Sequence, residues 1–207
     1  MEPIFFHYAF IAIFLVFVAI RLTYHRKAQR SMGKAEFKEG KLHIAMRLTF
    51  GIPFLLTLVA YMFRPEVLSW AALPLPAWLR GAGFAMAAAS LPLFWWVHRA
   101  LGSNFSGTLH VREEHTLVTH GPYRWVRHPM YTAFYIYLTG ILLLTANWFI
   151  GGFFLAGLTL VVVNRLKNEE LAMVEKFGER YRDYMRRTGR FLPAFNTHSE
   201  PSHYARG

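Results

Sequence analysis

Four apolar stretches, separated by polar and basic segments, dominate the sequence. They are residues 4–20, 48–63, 78–97 and 130–163. The first three are close to the roughly 20 apolar residues that one membrane-spanning helix needs. The pattern therefore predicts an all-α integral membrane protein rather than a soluble domain.

The fourth stretch is too long for one crossing and is interrupted at residues 145–147, Thr-Ala-Asn. Each half has roughly 16 residues, which corresponds to about 24 Å of helix. This is slightly less than the ~30 Å hydrocarbon core of a bilayer, a mismatch that local thinning of the bilayer can absorb. We expect a tight antiparallel hairpin formed by the fourth and fifth of about five spans.

Basic residues are concentrated on one predicted side of the membrane. Segments 21–47, 98–130 and 164–207 contain eight, four and nine Lys and Arg residues, whereas the opposite segments contain only Arg64 and Arg80. The positive-inside rule then places the N-terminus outside and these three segments in the cytoplasm. The positive charges follow the first apolar stretch, which favours a retained span over a cleaved signal peptide.

The net charge of +11 raises the possibility of nucleic-acid binding, but the sequence contains no nucleic-acid-binding motif. The absence of cysteine excludes disulfides, thiolate metal sites and a cysteine nucleophile. We predict no metal site, because the clustered histidines lack the i, i+4 spacing of a helical metal pair. They are His98, His110, His115, His120 and His128.

Two polar cassettes flank the last apolar stretch: residues 115–131, HTLVTHGPYRWVRHPMY, and residues 165–170, RLKNEE. A hairpin between them would bring both cassettes to the same side of the membrane. We predict the active site at their meeting point.

The residue types in these cassettes suit a ligand that carries both a positive and a negative charge. Because proline fits the first position of a helix, Pro129 predicts a helix start whose free N–H groups favour an anion. The rings of Tyr123, Trp125 and Tyr131 could face a cation. Arg127 and Arg165 could bind a carboxylate or phosphate, and Glu169 and Glu170 could hold amino or hydroxyl groups.

Each of these residues taken alone also has a simpler explanation. Arg124 and Arg127 could be positive-inside anchors, and Tyr123 and Trp125 could be interfacial aromatics. Glu169-Glu170 could be an acidic pair at a helix start.

The segment 169–187 has the pattern of an amphipathic C-terminal helix that packs on the membrane domain or lies at the interface. Gly178 interrupts this pattern, and the polar tail 196–207 is expected to be disordered. The apolar stripe consists of Leu171, Val174, Phe177, Tyr181 and Tyr184.

The two cassettes together resemble the isoprenylcysteine carboxyl methyltransferase family, which shares its signature with phospholipid N-methyltransferases. The pattern is His-x-Leu-Val-x-x-Gly-x-Tyr-x-x-x-Arg-His-Pro-x-Tyr, and residues 115–131 match it. The resemblance covers residues 98–195 and continues through Arg165, Glu169 and Glu170. It ends in a Phe-Gly-x-x-Tyr-x-x-Tyr segment (177–184) and a closing Phe-Leu-Pro (191–193).

This resemblance implies S-adenosylmethionine (SAM) as methyl donor, bound on the cytoplasmic side without a Rossmann domain. It also implies that Arg127 and Arg165 contact a substrate carboxylate. An amine or thiol acceptor would instead have to lose a proton, and Glu169 or Glu170 could then serve as the general base. The residues implied to hold the cofactor are His110, His115, Thr116, Leu117, Val118, Tyr123, His128, Pro129, Met130, Tyr131 and Glu169.

We therefore expect N-terminal spans in residues 1–97 and a catalytic region in residues 98–195. The expected function is SAM-dependent methylation of a lipophilic or lipid-tailed substrate within a membrane. Methylation of a phospholipid amine, a sterol-reductase-like enzyme that uses NADPH and a non-enzymatic membrane scaffold remain as alternatives.

Overall fold

The computed structural model describes residues 2–31, 52–102 and 116–194, and these residues form helices with no β-strand. The α-helices are α1 (Glu2–Ser31), α2 (Ile52–Phe63), α3 (Ala77–Leu101), α4 (Pro129–Thr145), α5 (Trp148–Phe177) and α6 (Glu179–Arg187). Two 3₁₀ helices, Pro65–Ala71 and Gly121–Arg124, lie between them. The predicted all-helical class is confirmed for these residues.

Two of the described helices are long and apolar enough to cross a membrane: α1, through Ile4–Lys27, and α5. The predicted third span lies within α3, and α4 is a shorter apolar helix. Of the predicted second span, residues 48–51 lie outside the described residues, and the remainder forms α2.

Helices α3 and α4 approach each other closely. A Cβ atom on Gly83 would lie 2.5 Å from the backbone nitrogen of Leu144, and one on Gly140 would lie 2.5 Å from that of Ala87. Only glycine allows the two backbones to approach so closely, and small residues serve the same purpose where helices pack in membranes. Gly83 thus lies at the contact between the two helices, whereas Gly81, two residues earlier, faces open space.

The interruption between α4 and α5 falls at the predicted residues. Ala146 has a left-handed backbone (φ 48°), and the Asn147 side chain caps α5 by accepting a hydrogen bond from the Ile150 N–H. The Asn147 amide also donates to the carbonyl of Leu68 at 2.8 Å. Further along, the Tyr135 hydroxyl donates to Thr159, so α4 and α5 stay in contact well beyond the turn.

The prediction that a separate C-terminal helix begins at residue 169 is wrong. Helix α5 continues through the second polar cassette to Phe177, and the break comes at Gly178, whose φ is 56°. The cassette consists of residues that are compatible with a helix, so its polarity marks a change of environment rather than a helix end. Glu169 and Glu170 therefore lie deep inside α5, and the helix-start explanation for them is also wrong.

Contacts between the helices define two ends of the fold. At one end, His7 lies 3.1 Å from the carbonyl of Met62, and Arg80 donates to the carbonyl of Leu144. At the other end, Arg21 of α1 lies 3.3 Å from His98 of α3. This second end also holds the start of α4 and the Arg165–Glu170 turns of α5, and we refer to it as the site end.

Candidate active site

The first polar cassette reaches α4 through a short 3₁₀ helix at Gly121–Arg124. Gly121 has φ 60°, a conformation that costs glycine little. Helix α4 then begins at Pro129, as predicted, with His128 at its N-cap position. Because Pro129 is fully buried, the start of the helix is fixed against the rest of the fold.

Glu169 is the centre of the part of the site that is open to solvent. Its Oε1 atom accepts hydrogen bonds from the Tyr131 hydroxyl at 3.0 Å and from Arg165 Nε at 3.1 Å and Nη2 at 2.9 Å. Its other oxygen, Oε2, lies 3.9 Å from His128 Nδ1. The Glu169 side chain is 22% exposed, so a ligand could reach it.

Glu170 points into the protein and is the centre of a second, buried cluster. Its Oε1 atom lies 3.0 Å from Arg127 Nη2 and 3.4 Å from His128 Nε2. Arg190 adds a bond from Nη2 to Oε2 at 2.8 Å. The Glu170 carboxylate is thus surrounded by donors, which a buried charge requires.

The residues after α6 are attached to the first cassette by backbone hydrogen bonds. The Arg127 N–H donates to the carbonyl of Gly189 at 2.8 Å, and the His128 N–H donates to that of Arg190 at 3.0 Å. The Arg127 side chain donates to the carbonyl of Thr188, and Thr132 donates to that of Phe191 at 2.9 Å. We refer to residues 188–191 as the C-terminal strap.

His128 lies between the two glutamates. Its Nδ1 atom is on the Glu169 side and its Nε2 atom on the Glu170 side. Its ring centre is 5.9 Å from that of Tyr131 and 6.2 Å from that of Phe191. The arrangement combines one accessible carboxylate with several aromatic faces, which suits a ligand that carries a cation.

Three tyrosines connect the cassette to α6. The Tyr184 hydroxyl donates to the backbone carbonyl of Tyr123 at 2.5 Å. Burial, followed by the nearby charge of Glu170, raises the pKa of Tyr181 to about 12, and burial also raises the pKa values of Tyr123 and Tyr184. All three phenols therefore stay neutral at physiological pH.

The remaining predicted cofactor residues have different environments. Thr116 is exposed, Leu117 is half-buried and Val118 is buried. Met130 is half-buried and packs against the apolar core. His110 and His115 lie outside the described residues.

The sequence did not identify Arg190 or the strap carbonyls as neighbours of the site. The closing Phe191-Leu192-Pro193 motif was a signal that this region matters, but nothing in the sequence pairs Arg190 with Glu170. That contact depends on how α6 folds back on the cassette.

Comparisons with known proteins agree with this arrangement. Residues 83–175 match the model of the isoprenylcysteine carboxyl methyltransferase (ICMT) family. The rat protein-S-isoprenylcysteine O-methyltransferase is 31% identical over 133 residues, which cover 63% of this chain and 47% of the relative. The fission yeast protein of the same name is 33% identical over 81 residues, which cover 39% of this chain and 34% of that relative.

The chain thus spans about half the length, or less, of these curated relatives. The solved structure of the eukaryotic intramembrane Ras methyltransferase ICMT has the same fold, with a TM-score of 0.55 and 21% identity. The match covers 89% of this chain and 67% of that one. Both polar cassettes lie inside the matched region, so this part of the chain is similar to the isoprenylcysteine carboxyl methyltransferase family.

Proposed function

We propose that this chain is an integral-membrane methyltransferase that transfers a methyl group from SAM to the carboxylate of a lipid-tailed, isoprenylcysteine-type substrate. The observation that carries the proposal is the contact of Tyr131 and Arg165 with the partly exposed carboxylate of Glu169. The match of residues 83–175 to the model of the isoprenylcysteine carboxyl methyltransferase family supports the same reaction.

The chemistry of the residues fits SAM. The Glu169 carboxylate can accept hydrogen bonds from an amino or hydroxyl group, and the first N–H groups of α4 have no acceptor within the helix. The rings of His128 and Tyr131 can border a cation. We propose that the segment His128–Tyr131, with Glu169, Tyr123 and the predicted residues before them, holds the cofactor.

When bound, SAM supplies a methyl group that is activated by its positive sulfonium. A carboxylate acceptor is already deprotonated at neutral pH, so the protein needs no general base and contributes mainly by orienting the reactants. We assign this orienting role to Arg165. Its planar guanidinium can bind the carboxylate of the substrate while it stays in contact with the carboxylate of Glu169. Loss of water from the site would strengthen each of these contacts.

Arg127 has a different proposed role from Arg165. Its side chain is 8% exposed and donates to Glu170 and to the carbonyls of Met185 and Thr188. With its donors committed to protein acceptors, Arg127 is better suited to hold the strap against the cassette than to bind a substrate. Glu170 serves the same positioning role.

The membrane arrangement that we propose has five spans, with α4 and α5 as a hairpin and the site end in the cytoplasm. The distribution of basic residues supports this orientation, because Arg64 and Arg80 are the only two assigned to the outer side. A lipid tail would then enter from the bilayer, whereas SAM would enter from the cytosol.

The test uses the purified full-length chain, methyl-labelled SAM and N-acetyl-S-farnesylcysteine as acceptor. The expected product is a methyl ester, which releases labelled methanol on alkaline treatment. The same acceptor with its carboxylate blocked as an ester is the matched control and should take up no label. Alkali-stable label in phospholipid amines would instead identify an N-methyltransferase, and no transfer to either class would overturn the proposal.

A further inference from the structure

A surface of tryptophan and arginine side chains lies beside the active site and has no part in the proposed reaction. It combines the end of α3 with the Gly121–Arg124 turn. We refer to it as the basic-aromatic surface, and its members, all exposed, are Trp95, Trp96, Arg99, Arg124 and Trp125.

The side chains of this surface are ordered by contacts with one another. The rings of Trp96 and Trp125 meet edge to face, with centres 5.2 Å apart. The guanidinium of Arg124 lies 4.1 Å from the centre of the Trp125 ring, and that of Arg99 lies 5.2 Å from the centre of the Trp95 ring. A guanidinium stacked on a ring is held in place while its N–H edges can still bind an acceptor.

The two arginines differ from those of the active site in their partners. Arg127, Arg165 and Arg190 each form an ion pair with a glutamate. Arg99 and Arg124 each lie over a tryptophan ring, and within the described ranges neither forms an ion pair with a carboxylate. The surface therefore presents positive charge that an anionic ligand would complement.

The position of the surface along α3 matches the boundary of a membrane. Trp78 and Trp96 both lie on α3 and are exposed, and their separation of 18 positions corresponds to about 27 Å of helix. This length is close to the ~30 Å hydrocarbon core of a bilayer. Tryptophan is enriched at both membrane–water interfaces, so in the five-span arrangement proposed above the two residues would lie at the two boundaries.

We propose that the basic-aromatic surface binds the headgroup of an anionic phospholipid. The phosphate would accept hydrogen bonds from Arg99 and Arg124, and the tryptophan rings would lie at the level of the headgroup and upper acyl chain. A zwitterionic lipid would be bound less well, because its amine would be repelled by the same two guanidinium groups.

Such a lipid would also connect two parts of the fold. Arg99 belongs to α3, whereas Arg124 belongs to the turn that carries Tyr123. The turn already packs on α3, since a Cβ atom on Gly121 would lie 3.1 Å from that of Ala100. A headgroup bound to both arginines would hold the turn in this position.

The test measures lipid retention and does not depend on any catalytic activity. The full-length chain is purified, mixed with equal amounts of phosphatidylglycerol and phosphatidylcholine, and examined by native mass spectrometry. We expect the anionic lipid to be retained several-fold more, and Arg99→Gln/Arg124→Gln to reduce this preference by about fivefold or more, as removing two surface cations predicts. The matched control, Arg180→Gln/Arg187→Gln, removes the same charge from exposed positions of α6 and should change the preference less than about twofold, since attraction falls off within a Debye length.

A second measurement uses the wild-type chain alone. Because the attraction is electrostatic, raising the ionic strength should lower retention of phosphatidylglycerol more than that of phosphatidylcholine. An unchanged preference in the Arg99/Arg124 variant would overturn the proposal. So would an equal loss in the control, because the effect would then reflect overall charge rather than this surface.

Discussion

Arg127 and Glu170 form an ion pair that is almost completely buried, with Arg127 Nη2 3.0 Å from Glu170 Oε1 and side-chain exposures of 8% and 7%. They come from the two cassettes, 43 positions apart in the chain. Because Arg127 also donates to the strap, this pair connects the start of α4, the middle of α5 and the residues after α6. The geometry indicates that one charged pair holds together the elements that surround Glu169.

The first prediction concerns the stability that this pair provides. Arg127→Met should lower the free energy of unfolding by about 3–5 kcal/mol, because it leaves Glu170 buried without its main partner. The double variant Arg127→Met/Glu170→Leu should recover part of this loss, since no charge then stays buried. Unfolding in detergent micelles measures both effects.

Arg186→Met is the control for this comparison. It breaks an exposed ion pair with Asp183, and such pairs contribute only about 0–1 kcal/mol. Equal losses for Arg127→Met and Arg186→Met would show that the buried pair has no special role.

The second prediction separates the two adjacent glutamates. Glu169→Gln should abolish or severely weaken methyl transfer and leave the unfolding temperature nearly unchanged, because Glu169 is partly exposed and faces the proposed ligand. Glu170→Gln should instead lower the unfolding temperature, because the buried Glu170 carboxylate has Arg127, His128 and Arg190 as its partners. Activity of Glu169→Gln within about threefold of wild type, under ~1 kcal/mol of transition-state energy, would mean that Glu169 is not in the site.

How far the sequence predicts this structure depends on whether a feature is local. The helix start at Pro129 and the interruption at Ala146 follow from neighbouring residues, and both predictions are confirmed. The continuation of α5 through Arg165–Glu170 was missed, because polar residues that favour a helix resemble a loop when they follow an apolar stretch. The contact between Arg190 and Glu170 could not be predicted, because Arg190 reaches Glu170 only after the chain turns at Gly178 and again after α6.

The third prediction concerns the contact between α3 and α4. Gly140→Ala should destabilise the protein by about 1–3 kcal/mol, because the added methyl group would overlap the Ala87 backbone and force the helices apart. Gly157→Ala is the control: it makes the same change in an apolar helix where no atom lies within 4 Å. Unfolding measurements that rank Gly157→Ala as the more harmful change would contradict the observed packing.

The fourth prediction tests the proposed orientation in the membrane. Because the chain has no cysteine, single cysteines report their own positions without background. Asn147 is buried and unsuitable as a probe, but Ser69 at one end and Asp183 at the site end are both exposed. In intact cells, an impermeant thiol reagent should label Ser69→Cys and should label Asp183→Cys only after the membrane is opened. The reverse pattern would place the site end outside.

The fifth prediction separates carboxylate from amine acceptors through Arg165. If the acceptor is a carboxylate, Arg165→Lys keeps a positive charge beside Glu169 but loses the planar fork that aligns the acceptor, so turnover should fall much more than SAM affinity. If the acceptor is an amine, a cation beside it opposes binding of its protonated form, and the same change should be mild. Calorimetry of SAM binding, together with turnover of the farnesylated carboxylate, distinguishes these results.

Arg127→Lys is the matched comparison, because it makes the same change at the arginine to which we assign a positioning role. It should lower the unfolding temperature through the lost bonds to Met185 and Thr188, whereas Arg165→Lys should not. Its activity, measured well below the unfolding temperature, should fall less than that of Arg165→Lys. Full turnover of the carboxylate acceptor by Arg165→Lys would contradict the orienting role that we assign to Arg165, the one described arginine that forms an ion pair with the accessible glutamate.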